Sequence, residues 1–169
     1  GGGDAGAQAG GEGGQVSKSG QKHDPLDPQR EQVYEAESDV WPAEEADMLT
    51  LEELRWQLEE IQGSAWFKKA FPRAKRIPLM DGRGDQYSRG GPDGIHLIKR
   101  SRHIDVLIHE VAHVVAPVGV EWHGSLYCGI ELYIVGKYFG SKTKVELRRA
   151  FRRRGVRHDP RVARYGRVA

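Results

Sequence analysis

The segment Ile104–Val115, reading IDVLIHEVAHVV, constrains this chain more than any other stretch. Its apolar residues Ile104, Leu107, Ile108, Val111, Ala112 and Val115 recur at the spacing of one helical face. Inside it, His109-Glu110-Val111-Ala112-His113 forms an H-E-x-x-H pattern. One helical turn separates the two imidazoles, so both project from the same side and can grip one metal ion. Glu110 follows the first imidazole and is placed to reach a water held by that metal rather than the metal itself. This is the arrangement of a zinc-dependent hydrolase.

A catalytic zinc ion takes three protein ligands and keeps a fourth position open. His109 and His113 supply two. His123, in Glu121-Trp122-His123-Gly124, is the leading third ligand, because the break at Ala116-Pro117-Val118-Gly119 lets the next helix fold back towards the metal. Glu131 is the runner-up, since a carboxylate from a following helix is the other common solution, and Glu121 stands third. Zn2+ is thus the expected cofactor and Glu110 the catalytic base, although manganese or iron also suits a three-histidine site. Such a centre needs a donor for the oxyanion. Tyr127, His96 and His103 are the candidates, each with a structural or surface role as its plainer reading. For the histidine pair the plainer reading is satisfaction by neighbouring polar groups, which leaves two imidazoles and a carboxylate on a partly buried helix at a cost.

Residues 1–26 are Gly-rich, polar and almost without large apolar side chains, and are expected to be disordered. Cys128 is the only cysteine, which excludes an intrachain disulfide and every cysteine-rich zinc finger. No apolar run approaches a membrane span, so a soluble cytoplasmic protein is expected. The net charge of +2 hides an asymmetry: residues 24–60 are dominated by acids, whereas from Lys142 onward eleven Lys and Arg face only Glu146 and Asp159. A basic end of this kind suits nucleic acid or another polyanion. Its plainer reading is a solvated arginine-rich helix and tail that docks on the acidic half.

Elsewhere, Asp27-Pro28 reads as a helix start, followed by an apolar stripe through Val33, Tyr34, Ala36 and Val40 as far as Trp41. Thr50-Leu51-Glu52-Glu53 fits a capping box, with Leu51, Leu54, Leu58 and Ile61 behind it, and Ser64 caps a short third helix. Residues 76–80 form a short strand, residues 81–94 a loop of turn formers, and residues 94–99 a strand at a sheet edge. In that loop the Arg83-Gly84-Asp85 triplet matches an adhesion motif and is read as coincidence. Residues 124–138 form another helix closed by Gly140, and Thr143-Lys144-Val145-Glu146 opens a last one that ends at Gly155.

At His109–His113 and Trp122-His123-Gly124 the chain resembles a zincin, a group sharing a strand, the H-E-x-x-H helix and a further helix around a cleft. The metzincin version does not fit: Gly is absent three residues after His113, and Met48 and Met80 both lie upstream. His123-Gly124-x-x-Tyr127 is similar to SprT-like proteases, in which a His-Gly followed by an aromatic residue supplies the third ligand. The strongest resemblance is to a family of small metallohydrolases of actinobacteria and their phages. It rests on Pro28-Gln29-Arg30-Glu31-Gln32-Val33-Tyr34-Glu35-Ala36-Glu37, on these two motifs and on residues 151–156, and covers residues 27–157. It implies zinc ligands at His109, His113 and His123 and a base at Glu110. The chain lacks the cysteine-based zinc ribbon of longer SprT-like proteins, which argues against a DNA-repair protease role.

The expectation is a single α+β, zincin-like domain over residues 27–157, mostly helical with a small sheet, followed by a basic tail at 158–169. Its function would be zinc-dependent hydrolysis, most simply of a peptide or protein held by strand addition to residues 95–99. The first competitor is a non-enzymatic, nucleic-acid-associated protein with a structural zinc and an arginine-rich binding segment. The second is a phage or mobile-element accessory protein whose site is an inactive relic.

Overall fold

Local signals place most of the helices. In the computed structural model, which describes residues 27–45 and 47–167, Thr50 caps α2 (Leu51–Gly63) through a complete capping box with Glu53. Ser64 caps α3 (Ala65–Ala70) by accepting from the Phe67 amide. The segment carrying H-E-x-x-H is α4 (Ile104–Val115), and Gly124 caps α5 (Ser125–Tyr138). The Gly-rich start expected to be disordered lies outside the described residues.

Other signals gave way to the tertiary structure. Asp27-Pro28 does not cap the first helix: α1 spans Arg30–Ser38, with Gln29 in the capping position and no side-chain cap. Thr143 lies inside the first turn of α6 (Ser141–Arg154) rather than at its cap, and Gly155 ends α6 in the left-handed conformation as expected. The basic tail is not a tail throughout. Residues Pro160–Tyr165 form α7, capped by Asp159, with Val162 and Ala163 buried in the core. The packed body therefore extends past residue 157.

The sheet has three short strands, β1 (Leu79–Asp81), β2 (Arg89–Gly91) and β3 (Gly94–Leu97), in the order β1-β3-β2. β3 pairs in parallel with β1 and antiparallel with β2. It is the central strand, not an edge, because β2 forms within the stretch of turn formers expected to be loop. Both rows of β3 backbone groups are occupied, so a peptide cannot add to it as a further strand. The result is a mostly helical α+β body with one small sheet.

α5 is buried on every side: all of its residues from Tyr127 to Val135 are buried. It is the central helix, with α4, α6 and α7 packed around it. α7 comes close at Gly129, where a Cβ would lie 2.8 Å from the Asp159 carbonyl oxygen. α6 packs on α1, where Arg154 and Arg153 pair with Asp39 and Arg154 also reaches Glu35. That part of the basic end docks on the acidic half. Among the described residues no helix is long and apolar enough to cross a membrane.

Candidate metal centre

α4 presents His109 and His113 one turn apart, and the turn before α5 brings His123 to them. The three Nε2 atoms stand 3.1 Å (109–113), 3.2 Å (113–123) and 3.3 Å (123–109) from one another. Two nitrogens each about 2.0–2.1 Å from a tetrahedral zinc ion lie about 3.3 Å apart, so the triangle has the dimensions of a ligand set. All three expected ligands converge.

What lies behind the rings matters as much. His109 Nδ1 is 2.6 Å from Glu37 Oε1, and His123 Nδ1 is 2.7 Å from Asp27 Oδ1. A carboxylate at Nδ1 takes the ring hydrogen there, so by inference from its partner each Nε2 presents a bare lone pair to the centre. His109 and His123 are only 5 % and 2 % exposed. Lone pairs facing one another at this distance, out of water, repel, and a divalent cation between them removes the conflict. Burial first, and then the closeness of the His109 ring, push His113 and His123 far below the ordinary imidazole range, which keeps both in the neutral, metal-binding form. Gln29 secures the turn: its Nε2 donates to the His123 carbonyl at 3.0 Å, and its Oε1 accepts from the Arg157 amide at 2.7 Å.

The runner-up ligands fall elsewhere. Glu131 sits on the far side of the network, grouped with Glu37 and His109 rather than with the three Nε2 atoms. It is 1 % exposed, and burial followed by the charge of Glu37 holds its carboxyl well above the usual range. Burial likewise pushes Glu37 up to about 7. Glu121 is exposed and belongs to no ligand group among the described residues.

Glu110 is 5 % exposed, and the Gly90 amide favours its charged form. Burial raises its pKa, and His109 partly opposes the rise. Gly90 is required here: a Cβ on it would run into the Glu110 carbonyl, so β2 can press against α4 only at a glycine. Glu110 and His109 form part of the wall of a cleft of about 350 Å³.

The polar atoms of the expected oxyanion donors are engaged elsewhere. Tyr127 is fully buried, donates its hydroxyl to the His109 carbonyl at 3.3 Å and stacks on His113 at 4.2 Å. His96 engages Asp93 at 3.1 Å, and His103 the Asp47 carbonyl at 3.1 Å. The residues that were missed come from the start of the domain: Asp27, Tyr34 and Glu37. The Tyr34 ring stacks on His109 at 5.4 Å and meets His123 edge-on at 5.2 Å, while 41 % of the residue stays exposed. The sequence signals for Tyr34 and Glu37 were their i, i+3 spacing on one helical face and their place in the stretch 28–37 on which the resemblance rests.

No protein-family model, curated protein or solved structure matches this chain.

Proposed function

We propose that this protein is a zinc-dependent hydrolase with a zincin-like active site, acting on peptides or proteins. The observation that carries the proposal is the triangle of Nε2 atoms, 3.1–3.3 Å on a side, with carboxylates behind two of the rings. His109, His113 and His123 would hold the ion, which when bound supplies a Lewis acid and a water of lowered pKa. Asp27 and Glu37 orient the rings and raise their basicity as ligands. Glu110, with its pKa raised by burial, accepts a proton at its carboxylate and returns it to the leaving amine. Tyr34 shields the ligands from the solvent side. A reducing cytoplasm fits the single buried thiol of Cys128.

The test is metal analysis and peptide hydrolysis on three purified proteins. Wild type should hold one zinc per chain and cleave an unstructured protein substrate. His123→Ala should lose the metal, and Glu110→Gln should keep it while losing cleavage. Zinc-free wild type, or undiminished cleavage by Glu110→Gln, would overturn the proposal.

One observation also favours nucleic-acid association. Arg148 and Arg152 lie one turn apart on α6, about 6 Å along the axis, and among the described residues neither has an acidic partner. Both oppose protonation of His158, and Arg148 together with Lys137 opposes that of Lys144. Like charges crowded in this way suit a phosphate backbone. If this face binds duplex DNA, affinity should fall steeply with salt and collapse in Arg148→Glu/Arg152→Glu. Salt-independent binding, or none, would remove this second role.

A further inference from the structure

The cleft beside the metal centre has an uneven chemistry that identifies what enters it. Its lining includes His109 and Glu110, so a group that fills it lies beside the candidate base. Its walls carry three aromatic rings, Tyr34 and Trp41 from the α1 side and Tyr87 from the turn before β2. Trp41 is braced by Phe139, with ring centroids 5.4 Å apart. Tyr87 is 59 % exposed and lines the opposite lip.

Several polar groups of the lining are already engaged. Arg100 donates to the Gln86 carbonyl at 2.8 Å, and His103 Nδ1 is 3.1 Å from the Asp47 carbonyl. Glu37 serves His109. The three rings are the largest apolar groups of the lining. At about 350 Å³ the space falls in the range of small-molecule pockets. Resting on the zinc-hydrolase proposal, we infer that this cleft is the substrate pocket for a large apolar or aromatic side chain adjoining the scissile bond. Aromatic walls gain most from an aromatic occupant, through area and ring geometry together.

Three small zinc-seeking probes test this on the zinc-loaded full chain: acetohydroxamate, 3-phenylpropanohydroxamate and 6-aminohexanohydroxamate, each titrated by calorimetry. The phenyl probe should bind about ten- to hundredfold more tightly than the methyl one, the gain expected for burying a phenyl group. In Tyr87→Ala, whose exposed ring bears no folding load, and in Trp41→Ala, the ratio of the two affinities should fall below about threefold. Equal affinities for the phenyl and methyl probes in wild type, or tightest binding of the amino probe, would overturn the pocket while leaving the metal centre standing. If acetohydroxamate itself fails to bind the zinc-loaded chain, the open metal position is wrong and the pocket falls with it.

Discussion

Replacing Glu37 by Gln removes one charge from behind a candidate ligand and leaves the shape of the side chain almost unchanged. Glu37 Oε1 is 2.6 Å from His109 Nδ1, and the two side chains are 16 % and 6 % exposed, so solvent screens the pair weakly. Carboxylates in this position hold the ring tautomer and strengthen the ligand, and losing one costs about ten- to hundredfold in metal affinity, or about 1.4–2.7 kcal/mol. Glu37→Gln should therefore weaken zinc binding by that factor in competition with a chromophoric chelator. Urea unfolding of the zinc-free protein supplies the contrast. If the pair were a structural ion pair, breaking it would cost about 3–5 kcal/mol. Under the metal reading the zinc-free variant loses little, because the substitution also relieves a buried carboxyl already pushed up to about 7. Zinc affinity unchanged within about twofold, together with a stability loss of several kcal/mol, would refute the reasoning. Asp27→Asn repeats the experiment at His123.

Gly90→Ala forces a methyl group into the Glu110 carbonyl and should cost about 1–3 kcal/mol, lowering Tm by about 2–4 °C per kcal/mol; an unchanged melting curve would contradict the close packing of β2 on α4. A chain ended after Arg157 loses buried Val162 and Ala163 and the bond from the Asp159 amide to the Ser125 carbonyl. Its stability in urea should fall by at least about 2 kcal/mol, whereas a true tail would be removed without effect. His158 provides a pH test. Burial, then Arg148 and Arg152, hold its folded pKa below the ordinary imidazole value of about 6.5, so the unfolded chain binds more protons. Its contribution is present above about 6.5 and is lost as pH falls through that value towards the folded pKa. The stability of wild type relative to His158→Asn should therefore shrink as the pH of unfolding is lowered from 8 to 5; a constant difference would show that the imidazole titrates normally.

What was readable in advance was local. α4 follows from the spacing of Ile104, Leu107, Ile108 and Val111, and α2 from Thr50 and Glu53, because a helix and its cap are settled by residues within a few positions. Two imidazoles at i and i+4 share a side by helical geometry alone, and His123 needed only a turn to reach them. The same reasoning fails where one local pattern has two outcomes. Asp27-Pro28 and Asp159-Pro160 are identical dipeptides, yet only the second caps a helix. The Asp27 carboxylate goes instead to a ring 96 residues away.

The sequence by itself determined the H-E-x-x-H helix, two of the candidate ligands and a largely helical α+β chain. Tertiary structure alone decided that β3 is central, that α7 belongs to the core, that Glu131 lies behind the site, and that Asp27, Tyr34 and Glu37 complete it. The reason is one of range. Helical periodicity and caps act over a few residues, whereas the partner of a buried ring nitrogen or of a strand edge is whatever packing brings to it, here across 72 residues for Glu37 and His109.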